Sequence, residues 1–197
     1  GRQGHLVLKK NATPKFLPAR TVPLAIEKQV NAEIDRMVDN KFWTPVTQSK
    51  WATPLVPVPK TDGGIRICGD YKQTLNPQLE VAQHPLPTVE VITAKLGGCK
   101  VFSKIDLKNA FNQLELDTES AELCTVNTSK GLFRVNRLCF GVNSSPALWQ
   151  RTVDSILKDL PGVFTFVDDI LISSPDEKTH LERLRSVLQR LKENDVH

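Results

Sequence analysis

Apolar residues recur at Ile26, Val30, Ile34, Met37 and Val38, a spacing of three and four that predicts a helix over residues 24–41. The preceding 23 residues show no period and contain Pro14, Pro18 and Pro23, which predicts an extended arm. Thr53–Pro59 and Ile65–Cys68 flank Lys60-Thr61-Asp62-Gly63-Gly64, so a hairpin is expected there, because glycine accepts the positive φ of a tight turn. Pro57 and Pro59 carry no N–H, and the first arm is therefore expected at a sheet edge. After a loop to about Pro87, Val89, Ile92 and Leu96 mark a short helix closed by Gly97-Gly98.

Cys99–Ile105 reads as a strand that stops at Asp106, with a short helix over residues 108–114. Glu122–Asn127 and Leu132–Leu138 predict two strands about the turn at Thr128–Gly131. Ser145-Pro146 has the form of a helix start, serine as cap and proline first, and Trp149, Val153 and Ile156 carry that helix toward Pro161. Val163–Val167 and Ile170–Ile172 are apolar strands separated by Asp168-Asp169. Ser174-Pro175-Asp176-Glu177 resembles a capping box, and the helix it opens carries Leu181, Leu184, Val187, Leu188 and Leu191 as its expected packing stripe. Strands and helices interleave with hairpins among them, so the fold class expected is α+β rather than a doubly wound parallel sheet.

The length, 197 residues, allows one domain or two small subdomains sharing a core. No apolar run reaches the roughly 18 residues of a membrane-spanning helix, and Gly1–His5 carries no signal-peptide run. An intracellular, non-membrane chain is the expectation. Cys68, Cys99, Cys124 and Cys139 form no C-x-x-C pair, which argues against zinc and for inert thiols. The net charge of +4 permits a nucleic-acid partner without demanding one.

The chemistry that stands out is acidic. Asp168-Asp169 between apolar runs fits a plain hairpin turn. It also fits a metal site, because the flanking residues are bulky and a second apolar strand ends in Asp106. If the two strands are neighbours, their carboxylates converge, repel and raise one another's pKa until a divalent cation relieves the repulsion. Hard oxygen donors suit Mg²⁺. A pair of such ions about 3.5–4 Å apart clamps an in-line phosphoryl displacement.

Four segments in order carry a resemblance. Phe102–Phe111, with Asp106 inside it, resembles the first catalytic motif of reverse transcriptases. Phe140-Gly141-Val142-Asn143-Ser144-Ser145-Pro146-Ala147 resembles their second, and Phe166-Val167-Asp168-Asp169 their third, with phenylalanine in place of the usual tyrosine. Arg66–Tyr71 followed by Leu75-Asn76 is similar to their fingers motif, with Gly69 where a larger residue is frequent, while Cys139 stands where proline is common before Phe-Gly. The closest flavour is the Pol polyprotein of Ty3/gypsy-type LTR retrotransposons.

That resemblance implies a right-hand polymerase fold with an antiparallel palm sheet, helices on one of its faces and a fingers subdomain. Fingers would come from residues 1–93 and 119–145, palm from 94–118 and 146–197. It implies RNA-directed DNA polymerase activity, Mg-dependent nucleotidyl transfer from a dNTP to a primer 3′-hydroxyl on an RNA or DNA template, with Mn²⁺ as an alternative ion. Asp106 and Asp168 would ligate both ions, with Asp169 beside them and the Leu107 carbonyl as a further ligand. Phe111 would pack under the incoming sugar and exclude a 2′-hydroxyl; the plain alternative is a core phenylalanine. Lys60 and Arg66 would hold the triphosphate, against a solvated turn lysine and an idle strand arginine. Phe140 and Gly141 would lie beside nucleotide and template. Trp149 reads as core. Thumb, RNase H and integrase are expected outside these 197 residues, and the setting implied is a cytoplasmic virus-like particle with product passing to the nucleus. A truncated or domesticated nucleic-acid-binding module without turnover is the competing reading, and a metal-dependent nuclease ranks last.

Overall fold

Extended, β-rich stretches and capped helices alternate along the chain in a computed structural model that describes residues 2–197. In chain order the elements are β1 (Gln3–Gly4), β2 (Val7–Leu8), α1 (Leu24–Asp39), β3 (Trp43–Val46), β4 (Thr53–Pro59), β5 (Ile65–Gly69), β6 (Leu79–Glu80), α2 (Val89–Leu96), β7 (Val101–Asp106), β8 (Glu115–Leu116), α3 (Thr118–Leu123), β9 (Val126–Thr128), β10 (Gly131–Val135), α4 (Ser145–Ile156), β11 (Val163–Phe166), β12 (Asp169–Ser174) and α5 (Glu177–Glu193). Single 3-10 turns lie at Asn76–Gln78 and Ala110–Gln113. Two compact units emerge, one of residues up to Ala82 with Leu114–Ser145, the other of Gln83–Gln113 with Pro146–His197. The expected limits of 1–93 with 119–145 and 94–118 with 146–197 differ from these: α2 belongs to the second unit and residues 114–118 to the first.

The first unit is built on a mixed sheet in the order β3-β10-β9-β4-β5. Helix α1 packs toward β3 and β5 and buries Val30, Ile34 and Met37. Trp43 and Phe133, on adjacent strands, stack with ring centroids 5.6 Å apart. The hairpin of β4 and β5 forms as expected, but the edge strand is β5. β4 takes a parallel neighbour, β9, only at Thr53 and Pro54. Its Pro57–Pro59 half is paired on one side alone, and that satisfies the proline constraint without placing the whole strand at the edge.

The predicted strand at Glu122–Asn127 begins as helix and pairs only from Val126. Asp117 caps α3 by accepting from the Ser120 N–H at 2.9 Å, so Glu122 and Leu123 finish a helical turn before β9 begins. The extended N-terminal arm is tied down there: His5 Nδ1 lies 2.6 Å from Asp117 Oδ2, and the Leu6 N–H donates to Ser120 Oγ at 2.8 Å.

The second unit centres on an antiparallel sheet in the order β11-β12-β7. Burial alternates along β7, with Phe102, Lys104 and Asp106 on the open side. The other face is covered by α5: Val187 and Leu191 are buried, and His180 bridges Ser103 Oγ at 2.7 Å and Ser174 Oγ at 3.0 Å. Leu181 and Leu188 of the expected stripe are instead exposed, one helical heptad apart. The cap of α5 is Asp176, whose carboxylate accepts from the Thr179 N–H at 2.7 Å, because Ser174 is still paired in β12. Ser145 likewise spends its hydroxyl on the Cys139 carbonyl at 2.6 Å, not on a cap. Among the described residues no helix is long and apolar enough to cross a membrane.

Candidate functional site

The aspartates sit at one end of the open sheet face in the second unit. β7 and β12 pair so that Asp106 faces Asp169, Ile105 faces Ile170 and Lys104 faces Leu171. Phe166 pairs with Asp169 across the hairpin, so the turn residues are Val167-Asp168, one position earlier than the sequence pattern placed them. That shift moves Asp169 into the ladder, on the same face as Asp106. Directly opposed residues of an antiparallel pair bring their side chains into contact.

The electrostatics follow from this register. Opposed in register, the Asp106 and Asp169 carboxyls are each other's main electrostatic influence, as a hydrogen-bonding pair. That pairing, helped by Lys104, holds the Asp106 carboxyl below its usual range. The same pairing, with slight burial and the charges of Asp106 and Asp168, pushes Asp169 up against the pull of Lys104. Two carboxyls in contact cannot both ionise freely. Lys104 Nζ stands 3.3 Å from Asp106 Oδ1 and 3.8 Å from Asp169 Oδ1, and its own pKa is raised by Asp106. Among the described residues no three His, Cys, Asp or Glu side chains are gathered tightly enough to share an ion as they stand. The donor set nevertheless fits a hard divalent cation: exposed carboxylate oxygens, opposed in register, with repulsion for a cation to relieve.

The turn that carries Asp168 is held from behind by α4. Val167 has φ of 53°, a left-handed conformation that a β-branched residue rarely adopts. Its N–H donates to Gln150 Oε1 at 2.7 Å and its carbonyl accepts from Trp149 Nε1 at 2.9 Å. Trp149 and Gln150 are each 1% exposed. The expected core role of Trp149 therefore comes with a second, polar one. The Asp168 carbonyl accepts from the Leu107 N–H at 2.9 Å, which ties the turn to the end of β7. Phe111 is buried in the Ala110–Gln113 turn of the same unit.

Lys60, Arg66, Phe140 and Gly141 all belong to the first unit. Lys60 is exposed at the β4–β5 turn, its N–H donating to Gly64 O at 2.8 Å. Arg66 on β5 lies over the Phe140 ring, 4.2 Å from guanidinium carbon to centroid, a cation–π contact. Gly141 has φ of 93°, and a Cβ there would stand 3.0 Å from Gly69 O and 3.3 Å from the Tyr71 ring. Gly69 is explained by the same ring: a Cβ on it would meet Tyr71 at 2.6 Å. Tyr71 is buried, which raises its phenol well above the ordinary value, and it donates to Cys124 O at 2.8 Å. Asn76 closes the loop, donating to Gly141 O at 2.7 Å and accepting from the Asn143 N–H at 3.0 Å. The structure thus brings Arg66, Phe140 and Gly141 into one cluster and Asp106, Asp168 and Asp169 into another.

Sequence reasoning passed over Lys104 and the anchoring use of Gln150. Lys104 has a signal in hindsight, since alternation along β7 puts residue 104 on the face of residue 106. Gln150 has none beyond being an amide one helical turn before Asp154.

Comparison with known proteins agrees with this geometry. The family model described as reverse transcriptase (RNA-dependent DNA polymerase) matches residues 58–197. An uncharacterized Caenorhabditis elegans protein, K02A2.6, is 40% identical over 187 residues, which cover 94% of this chain and 15% of that protein. The Schizosaccharomyces pombe transposon Tf2-3 polyprotein is 32% identical, with 89% of this chain and 13% of that protein covered. The Pol polyprotein of the Drosophila melanogaster transposon opus is 28% identical, with 90% and 18% covered. The chain thus spans under a fifth of the length of these relatives. Among solved structures, the foamy viral protease-reverse transcriptase in complex with double-stranded DNA superposes with a TM-score of 0.84 at 27% identity, covering 98% of this chain and 34% of that one. The same enzyme with an RNA/DNA hybrid gives 0.83 at 26%, covering 96% and 25%. With its ordered motifs, its paired carboxylate strands and a family match over most of its length, this chain belongs to the reverse transcriptase (RNA-dependent DNA polymerase) family.

Proposed function

We propose that this chain carries the polymerising centre of an RNA-directed DNA polymerase of an LTR retrotransposon Pol polyprotein, with a primed RNA or DNA template and a dNTP as substrates. The observation that carries the reading is the register of β7 and β12, which sets Asp106 against Asp169 with Asp168 in the adjoining turn. In the reaction the primer 3′-hydroxyl oxygen bonds to the α-phosphorus of the dNTP. The bond to the bridging oxygen breaks, pyrophosphate leaves, and the hydroxyl proton passes to solvent.

Asp106 and Asp168 would hold two Mg²⁺, with Asp169 and the Leu107 carbonyl adding oxygen donors. Such ions, when bound, lower the pKa of the attacking hydroxyl and neutralise charge on the leaving group. The chain's own contribution is position: carboxylates fixed on paired strands, and a turn locked by two buried side chains. In the first unit, Arg66 and Lys60 are the proposed triphosphate ligands; the Phe140 ring orients the Arg66 fork, which suits phosphate. Phe111 is the proposed sugar discriminator. The foamy viral relatives were solved with DNA duplex and with RNA/DNA hybrid, which supports a template-primer partner here.

Primer extension on RNA with dNTPs and Mg²⁺, run beside Asp168→Asn, tests this. Extension by the wild type and none by the variant is expected. Binding of primed template without extension by either points to a nucleic-acid-binding module without turnover, and primer degradation lost in the variant points to a nuclease. Phe111→Ala should raise rNTP incorporation; unchanged sugar selectivity would remove Phe111 from the site.

A further inference from the structure

Behind the Val167 turn lies a part-buried polar chain that none of the site residues accounts for. Asp154, on α4, is its centre. Its Oδ1 accepts from the Thr165 hydroxyl and from Gln150 Nε2 at 2.9 Å; its Oδ2 lies 2.6 Å from His84 Nε2. Gln150 Nε2 also lies 2.7 Å from Thr165 Oγ1 and 3.2 Å from Thr165 O. Gln150 Oε1, on the other side of the amide, accepts the Val167 N–H at 2.7 Å. All of these residues belong to the second unit.

The donor sense of this chain is set by two groups that only accept, the Asp154 carboxylate and the Thr165 carbonyl, and by the Val167 N–H, which only donates. A carboxylate offers only acceptors, whereas a hydroxyl or amide can be turned either way. Asp154 therefore draws the Thr165 hydroxyl hydrogen to itself and leaves Thr165 Oγ1 as an acceptor toward Gln150. The Gln150 NH₂ then faces acceptors alone, and its oxygen must face the Val167 N–H. Without the carboxylate, the Thr165 hydroxyl is free to donate to Gln150, and the amide orientation that serves the Val167 N–H rests on the Thr165 carbonyl alone, at 3.2 Å. A donor partly withdrawn from water and left without its acceptor costs more than the bond it lost.

We propose that Asp154 is a positioning residue for the Val167-Asp168 turn, acting through Thr165 and Gln150 to keep Val167 in its left-handed conformation. This deepens the polymerase reading and rests on it for its functional meaning, because the positioned groups are the proposed metal ligands.

Amide exchange on the ¹⁵N-labelled chain tests the positioning without any need for turnover. In Asp154→Leu the Val167 amide should exchange at least about tenfold faster, one lost buried hydrogen bond being worth about 1.4 kcal/mol or more, while Ile170 and Ile172 keep wild-type protection. Asp154→Asn retains an acceptor oxygen for Thr165 and should restore the Val167 protection. Unchanged Val167 exchange in Asp154→Leu overturns the proposal, and so does acceleration shared equally by Ile170 and Ile172, which marks a merely structural role. Mn²⁺ titration of the same proteins reads the consequence: affinity in Asp154→Leu should fall about tenfold, as for other residues that orient metal ligands from behind. Wild-type protein that binds no Mn²⁺ while Val167 behaves as expected would sink the metal-site reading and leave the positioning role standing.

Discussion

Two hairpin turns of this chain solve the same geometric problem in opposite ways. The β4–β5 turn is made of residues suited to turning: Gly63 takes φ of 87° at no steric cost, and Asp62 Oδ1 accepts from the Gly64 N–H at 2.9 Å. Nothing outside the turn is needed. The β11–β12 turn puts Val167 at φ of 53°, against the residue's own preference, and relies on Trp149 and Gln150 from another element. A left-handed non-glycine residue costs on the order of 1–3 kcal/mol and persists only where its surroundings over-determine it. The first turn is locally encoded and spends no packing on its shape. The second is imposed, and what is imposed is the place of Asp168.

The contrast can be broken at its strongest point. Gln150→Leu removes the acceptor for the Val167 N–H and strands the Thr165 and Asp154 groups that faced the amide. A loss of roughly 2–4 kcal/mol in denaturant unfolding is expected, since several buried polar groups lose partners together. An effect near zero would mean that the turn holds itself.

Exchanging the turn residues sharpens the comparison. Gly63→Val should destabilise the first hairpin by about 1–2 kcal/mol, because nothing there holds a β-branched residue at positive φ. Val167→Gly should stabilise the second by up to about 1 kcal/mol, strain released less the entropy glycine adds to the unfolded chain. If both changes destabilise equally, strain at Val167 is not what α4 opposes.

The smallest expected effect concerns an element whose local signal was missed. Burial would raise the Asp117 carboxyl, but bonds from Ser120 and the neighbouring His5 outweigh it and hold the group below the usual carboxylate range. A depressed carboxyl stabilises the fold above its unfolded pKa, and that stability is lost as pH falls through the lower, folded value. Asp117→Ala should cost about 1 kcal/mol near neutral pH, and the deficit should vanish in acid below the folded pKa. A deficit that persists there would assign the loss to packing.

Much of the fold was legible because its signals are local. The helix at Leu24–Asp39, the hairpin around Gly63, the strand ending at Asp106 and the helix closing at Gly97-Gly98 each follow from spacing, turn chemistry or caps within a few residues. The misread segments share a different character. Ser174 resembled a cap but remained in a ladder, Asp168-Asp169 resembled a two-residue turn but the turn was Val167-Asp168, and Leu181 and Leu188 continued a stripe of which Val187 and Leu191 are the buried members. In the first two cases a partner strand decided, and strand pairing has no local trace; in the third the side of the helix that meets the sheet decided.

The same division runs through the site. The order of residues alone announced three aspartates at strand ends, an arginine and a phenylalanine in their motifs, and the family to which such motifs belong. Register then set Asp106 against Asp169, and buried side chains of α4 fixed a valine where its backbone would not otherwise stay. Identity and spacing are written along the chain. Which carboxylate meets which, and with what charge, arises between segments some sixty residues apart, where a one-residue slip in pairing would turn every side chain to the opposite face.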